Sequence, residues 1–280
     1  MKEMELFIHF LKNSDGIKYY TESDRIWIES FLQDNKLKFY SFDSPDMVIE
    51  TSSKFILLEH YQFDSSTRKK GSSLLKEEEA QKDREFRSKI ESMQTKDNVT
   101  EVSYHTSFET DISLDNYTKN LIESFDKHIS KYQEYINHFM SETIKIAKDI
   151  EFGFVIQNTS ILPDVVYKGT KLIHLTPFHI REFRNKLKQY PQVRHVFFLI
   201  DDVNGKKIIF YSNYKSIEEL ETKLPNLDNS YSFIQWKPQS IRYHVEVPNV
   251  TDNSDDNLWF TVIEKIYYYF CWTLSFFGYD

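Results

Sequence analysis

The apolar run at residues 55–63, with the sequence FILLEHYQF, is the feature that most limits the folds open to this chain. Its first half is apolar at consecutive positions, a pattern typical of a strand that is buried on both faces of a sheet. The run also contains Glu59, an acidic residue inside an apolar strand. The sequence therefore predicts an internal strand that carries a carboxylate.

Helix and strand patterns alternate around this run. We predict a helix over residues 23–33 with Ser23 as its cap, because Ile26, Trp27 and Phe31 form an apolar stripe. The other predicted helices cover residues 115–149, the stretch opened by Thr176 and Pro177, and residues 216–223. Further predicted strands are 36–42, 47–49, 152–157, 193–200 and 207–211, the last two joined by an Asn204-Gly205 turn. This mixed order predicts an α/β or α+β fold with a central mixed sheet flanked by helices.

Composition narrows the class of protein. The 280 residues include 23 Phe, 18 Tyr and 4 Trp but only 6 Gly and 7 Pro, which indicates long elements and a bulky core. The single cysteine, Cys271, excludes an internal disulfide and a cysteine-rich zinc site, and it suits a reducing, cytoplasmic location. The formal net charge of −8 argues against a broadly basic surface that binds nucleic acid. A local basic patch or an acidic metal site remains compatible with it.

The predicted organisation is a core over residues 1–215 and an aromatic-rich C-terminal extension over 216–280 that packs on it. The core includes a charged arm at 65–103, which we expect to be a polar helix after a loop at 68–73. Residues 1–13 do not have the pattern of a signal peptide. The stretch 258–277 contains Glu264 and Lys265, which favours a buried or interface helix over a membrane span.

Two acidic residues on neighbouring predicted strands form the sharpest chemical pattern. Asp46 follows Pro45 at the head of one strand, and Glu59 lies within the next. Two carboxylates side by side repel each other unless they share a proton or a cation. Oxygen ligands of this kind suit Mg²⁺ or Mn²⁺, which can acidify a water molecule and stabilise charge on a phosphate.

This pattern resembles the PD-(D/E)xK, or restriction-endonuclease-like, nuclease superfamily. The resemblance rests on Pro45-Asp46, on Glu59-His60-Tyr61, and on the order helix, three strands, helix, strand over about residues 20–160. It implies that Asp46 and Glu59 are catalytic and bind the metal, and that an acid of the first helix, here Glu29, completes the metal site. The member would be divergent, because the lysine that the family places two residues after the second acid is Tyr61 here. The segment LLEHYQFD followed by RKKGSS resembles sequences of bacterial proteins.

Several other residues are weaker candidates. Lys69 and Lys70 are the nearest lysines that could contact phosphate in place of the motif lysine, and Gln62, Tyr61 and Gln157 would border the site. His60 should point to the opposite face of its strand from Glu59 and serve in packing. His128 and His138 are ten residues apart on a predicted helix, a spacing that does not suit a metal pair.

The function that this pattern predicts is divalent-metal-dependent hydrolysis of nucleic acid, in defence against foreign DNA. The alternative is a non-catalytic interaction protein on a degenerate nuclease-like scaffold. Its aromatic C-terminal segment would then bind a protein partner or form a homodimer. The acid pair within an apolar strand favours the enzyme, whereas the missing lysine and the negative net charge favour the alternative.

Overall fold

The computed structural model describes residues 3–69, 72–94, 101–106, 112–143, 148–160, 164–168, 171–201, 207–225, 227, 232–233, 241–246 and 267–269. By their contacts the residues form two compact units. The first unit comprises Met1–Ser65 and Ile112–Gln235, and the second comprises Ser66–Asp111 and Trp236–Asp280.

The described elements alternate between helices and strands. The helices are α1 (Glu3–Asn13), α2 (Glu22–Leu32), α3 (Leu74–Gln94), α4 (Leu114–Ile129), α5 (Tyr132–Glu142), α6 (Arg181–Gln189) and α7 (Ile217–Lys223), with 3₁₀ turns at Pro177–His179 and Tyr214–Ser216. The strands are β1 (Ser14–Tyr19), β2 (Lys38–Ser41), β3 (Met47–Glu50), β4 (Lys54–Phe63), β5 (Arg68–Lys69), β6 (Ser72–Ser73), β7 (Glu101–Thr106), β8 (Asp149–Asn158), β9 (Val165–Lys168), β10 (Lys171–His174), β11 (Val193–Asp201), β12 (Lys207–Asn213), β13 (Ser232–Phe233), β14 (Ile241–Glu246) and β15 (Tyr267–Tyr269).

A seven-stranded mixed sheet forms the centre of the first unit, in the order β1-β12-β11-β8-β4-β3-β2. Strands β2, β3 and β4 form an antiparallel meander, and β8 and β11 then run parallel to β4. Strand β4 lies between β3 and β8, which agrees with the prediction of an internal strand. The contact between β8 and β11 is close at Gly153, where a Cβ atom would lie 2.4 Å from the carbonyl oxygen of His195.

Helices cover both faces of this sheet. On one face, which we call the α2 face, Phe7, Phe10, Ile28 and Phe31 of α1 and α2 pack on the strands. On the other, which we call the α4 face, the strands are covered by buried side chains of α4 to α7 (among them Leu121, Phe125, Tyr135, Phe139, Phe183, Leu187, Ile217 and Leu220). The α/β architecture that the element order predicts is therefore present.

Local predictions differ from the structure at several points. The cap of α2 is Thr21, whose side chain accepts the Asp24 backbone N–H, not Ser23. Residues 68–73 contain the short pair β5 and β6 instead of a loop. The helix predicted over 115–149 is two helices, α4 and α5, followed by β8. Helix α1 was not predicted, although its buried Phe7 and Phe10 are three residues apart, as one helical face requires.

The division into units also differs from the predicted one. Helix α7 belongs to the first unit because Ile217 and Leu220 are part of the core on the α4 face. The arm and the C-terminal residues share the second unit because β7 pairs antiparallel with β14, which in turn pairs with β15. Within the stretch 258–277, the described residues form β15, so the predicted helix is wrong there. Among the described helices, none combines the length and the apolarity that crossing a bilayer requires.

Candidate functional site

The register of β3 and β4 sets the positions of the two predicted acids. Met47 pairs with Leu58, and Val48 pairs with Leu57. The paired residues of β3 and β4 end at Met47 and Leu58, so Asp46 and Glu59 are the next residue of each chain segment, at the point where β3 begins. The two acids therefore lie at the same end of the β3–β4 pair.

Glu59 lies on the α4 face and is almost buried, with 7% of its surface exposed. One carboxylate oxygen, Oε1, accepts hydrogen bonds from the Tyr135 hydroxyl at 2.8 Å and from Nδ1 of His128 at 2.9 Å. Because a carboxylate is the acceptor, Nδ1 of His128 carries a proton. The acid is thus held by two side-chain donors from α4 and α5, with no lysine or arginine in contact among the described residues.

Asp46 is held by the backbone of β4. Its Oδ2 atom accepts the N–H of His60 at 2.7 Å, so the carboxylate takes the place of a strand partner just before β3 begins. Burial, the hydrogen bond to Glu59 and the nearby charges of Glu59 and Asp46 raise the pKa of Tyr135. Tyr135 therefore stays protonated, and the charges of both acids act on its hydroxyl.

Tyr61 is on the same face as Glu59 and packs against His128. Its ring stacks on the imidazole with centroids 5.1 Å apart. The hydroxyl is buried and has no hydrogen-bond partner within the described part of the chain. Burial, and to a smaller extent the charge of Asp126, raise the pKa of Tyr61 well above its ordinary value. Tyr61 supports His128 sterically and supplies no charge.

The structure does not bring Glu29 to this site. Glu29 lies on α2, which packs through Ile28 and Phe31 on the opposite face of the sheet. Its carboxylate forms an exposed ion pair with Arg25, with the Nη1 to Oε1 distance at 2.7 Å. The expectation that Glu29 completes a metal site with Asp46 and Glu59 is therefore not met.

The remaining predicted residues lie elsewhere. Gln62 and Gln157 pair in register on β4 and β8, and the amide of Gln62 donates to Gln157 at 3.0 Å. Strand alternation directs both to the α2 face, away from Glu59. Lys69 is in β5 of the second unit, and Lys70 lies outside the described residues. Over the described residues, no group of three or more His, Cys, Asp or Glu side chains is arranged to hold a metal ion.

The two residues that hold Glu59, His128 and Tyr135, were not predicted from the sequence. His128 was set aside because it is ten residues from His138, but its partner is an acid 69 positions earlier. His138 instead donates from Nδ1 to the carbonyl oxygen of Ser44 at 2.6 Å. Tyr135 carried no signal beyond its helical spacing from His128. The one feature of the sequence that indicates the contact with Glu59 is the position of His128, a polar residue beside the buried stripe of α4.

A second polar network lies on the α2 face. Nε2 of the buried His195 donates to Glu151 at 2.7 Å, and its Nδ1 accepts the Tyr211 hydroxyl at 2.9 Å. Lys54 donates to the other oxygen of Glu151 at 2.8 Å. Although burial opposes ionisation, the donors His195 and Lys54 lower the pKa of Glu151 to about 2. Trp27 covers His195 at 4.4 Å between ring centroids, so this network holds β8, β11 and β12 together beneath α2.

No protein-family model matches the chain. No curated protein matches it. No solved structure matches it.

Proposed function

We propose that the protein is a divalent-metal-dependent phosphodiesterase that hydrolyses nucleic acid, with Asp46 and Glu59 as its metal ligands. The observation that supports the proposal is that Asp46 and Glu59 directly adjoin the last paired residues of β3 and β4, Met47 and Leu58. The arrangement of α2, the β2–β3–β4 meander, α4 and the parallel strand β8 supports the resemblance to the PD-(D/E)xK superfamily.

The donor set suits a hard cation. Mg²⁺ is commonly held in proteins by one or two carboxylates, with waters and substrate phosphates as its other ligands. Asp46 and Glu59 would supply the two carboxylates, and Mn²⁺ accepts the same donors. When bound, the ion would acidify a water molecule and stabilise negative charge on the phosphate.

The surrounding residues orient the two acids. The His60 N–H fixes one oxygen of Asp46, and Tyr135 and His128 both engage the same oxygen of Glu59. Because Oε1 takes both hydrogen bonds, the orientation of the carboxylate is fixed while Oε2 is not used by either donor. Tyr61 stays protonated because burial raises its pKa, so it cannot act as a base.

A second candidate function is a non-catalytic interaction protein on the same scaffold. The specific observation in its favour is Tyr61, which fills the place of the motif lysine with a buried ring packed on His128. In that case His128 and Tyr135 would be purely structural partners of Glu59. A protein partner or a second copy of the chain would then replace nucleic acid as the ligand.

Cleavage assays separate the two candidates. Single- and double-stranded DNA and RNA are incubated with the protein and Mg²⁺ or Mn²⁺, and with Asp46→Asn and Glu59→Gln. The proposal predicts cleavage that a chelator stops and that either substitution lowers by orders of magnitude. Glu29→Gln is the matched control, because Glu29 lies on the other face of the sheet, and it should retain full activity. No cleavage of any of these nucleic acids by the wild type would favour the interaction protein.

A further inference from the structure

Two exposed lysines lie at the corner between α4 and α5, beside the residues that hold Glu59. Lys127 precedes His128, whose Nδ1 atom donates to Glu59 at 2.9 Å. Lys131 lies one helical turn before Tyr135, whose N–H donates to the Lys131 carbonyl oxygen at 3.1 Å. Residues four apart share a face of a helix, so Lys131 is on the face from which the Tyr135 hydroxyl reaches Glu59. The corner therefore places two cations beside the candidate site.

Hydrogen bonds fix the backbone of this corner. The N–H of Ser130 donates to the carbonyl oxygen of Asp126 at 3.2 Å, and the N–H of Lys131 donates to that of His128 at 3.1 Å. The Ser130 hydroxyl also donates to the Lys127 carbonyl oxygen at 2.8 Å. The backbone of both lysines is therefore held at a set position relative to the side chain that contacts Glu59.

The acids of α4 and α5 do not neutralise the two corner lysines. Asp126 holds Lys186 at 2.8 Å, and Glu123 lies 4.0 Å from Lys119. Glu134, in the first turn of α5, is exposed and is the nearest acid without a lysine of its own among the described residues. Neither corner lysine forms an ion pair within the described part of the chain. The corner thus carries two unpaired cations against one unpaired acid.

We propose that Lys127 and Lys131 bind the phosphate backbone of the nucleic acid on which Asp46 and Glu59 act. This role rests on the proposed function, in which a cation balances the two acids and the lysines determine the charge of the surface beside them. Lysines that contact phosphates position a nucleic acid without reading its sequence. Two lysines at one corner are compatible with the net charge of −8, which argues only against a broadly basic surface. The lysines contribute affinity and position, and they take no part in the chemistry.

The salt dependence of binding tests this role. Binding of labelled DNA and RNA, each single- and double-stranded, is measured by fluorescence anisotropy in Ca²⁺, which takes oxygen ligands as Mg²⁺ does. Each phosphate that a lysine neutralises adds about 0.7–0.9 to the slope of log affinity against log salt. The double variant Lys127→Gln with Lys131→Gln should therefore lower that slope by about 1.4–1.8 and weaken binding at least about tenfold at low salt.

The matched control replaces two exposed lysines at the far side of the sheet, as Lys18→Gln with Lys215→Gln. Lys18 is on β1, four strands from β4, and Lys215 is in the turn that follows β12. The control loses the same charge and should keep the affinity and the salt slope of the wild type. Equal losses in the two double variants would overturn the proposal. So would a corner variant that unfolds at lower temperature with an unchanged slope, because Lys127 would then act only on the negative end of α4.

Cleavage kinetics separate this role from the proposed function. Loss of binding that is equal in the ground state and the transition state raises KM and leaves kcat unchanged, and we expect this result for the corner variant. Cleavage with an unchanged KM in that variant would overturn the lysine contacts while leaving the metal ligands in place. Binding that depends on the lysines without any cleavage would support the contacts and contradict the catalytic proposal. No binding by the wild type would overturn the contacts.

Discussion

The carboxylate of Glu59 lies in the middle of a ten-residue strand and depends on two donors that come from separate helices. An unpaired carboxylate in such a position would be costly, because burial removes its hydration. Tyr135 and His128 replace that hydration on one oxygen. Asp46 is held differently, by a backbone N–H of β4. The two acids are thus fixed from different directions at the same end of β3.

Tyr135→Phe tests how much its hydroxyl contributes to holding Glu59. The substitution removes one of the two donors while the ring still packs on Phe152. A hydrogen bond to a charged group contributes about 1.5–3 kcal/mol, so we expect the free energy of unfolding to fall by about that amount. The measurement is denaturant unfolding of wild type and variant.

The control for that prediction is Tyr132→Phe, one turn earlier on α5. Tyr132 also packs on Phe152, but its hydroxyl makes no hydrogen bond to a described residue. We expect a change within about 0.5 kcal/mol for this variant. Equal losses in both variants would show that the ring environment, and not the bond to Glu59, determines the effect.

The raised pKa of Asp164 should make the free energy of unfolding depend on pH. Burial raises its pKa from 3.8 to about 6, against the hydrogen bonds donated by Ser65, Asn158 and Ser160. The folded state therefore binds the proton more tightly than the unfolded state does. Its contribution to stability is complete below about pH 4 and is lost as the pH rises toward about 6, by up to about 3 kcal/mol. Asp164→Asn should remove this loss.

The measurement is the difference in unfolding free energy between wild type and Asp164→Asn at several pH values from about 4 to about 7. The difference is needed because burial lowers the pKa of His179 to about 4, which makes stability rise with pH over the same range. Subtracting the unfolding free energy of the variant cancels the contribution of His179, because both proteins contain that residue. A difference that does not vary with pH would contradict the raised pKa of Asp164.

At the scale of elements, the patterns in the sequence located strands better than helices. Strands β3, β4, β8 and β11 were predicted because apolar runs that span a covered sheet are visible locally. Helix α1 was missed although Phe7 and Phe10 are buried and Leu6 and Leu11, at helical spacing from them, pack against the same cluster. The break between α4 and α5 carries no proline or glycine, so the periodicity continues across it.

Helix α3 is the element that we expect to open most readily. None of its described side chains is buried, whereas β4 is hydrogen-bonded on both sides and buried over most of its length. Elements with few buried apolar contacts exchange their amide hydrogens through low-energy local opening. Hydrogen exchange should therefore show weaker protection in Leu74–Gln94 than in Lys54–Phe63. Equal protection would mean that α3 is held by contacts as strong as those of the sheet.

At the scale of the whole molecule, the sequence predicted the architecture but not the division into units. The element order was enough for a mixed sheet between helices, because chain order and hydrophobic pattern constrain that architecture. The pairing of β7 with β14 joins residues more than a hundred positions apart, and neither strand shows its partner in its own sequence. The same limit applies to the site. Asp46 and Glu59 were predicted from adjacent strands, while His128 and Tyr135 come from helices whose docking no local pattern specifies.

The proposed function requires Asp46 and Glu59 to hold a divalent cation together, and Mn²⁺ binding measures this property without any substrate. We expect saturable binding of Mn²⁺ to the wild type, as detected by calorimetry or by electron paramagnetic resonance of the free ion. Asp46→Asn should weaken this binding at least about tenfold, equivalent to about 1.4 kcal/mol, while Glu29→Gln binds as the wild type does. Equal affinity in the wild type and Asp46→Asn, or no binding by the wild type, would show that the two acids do not form a metal site.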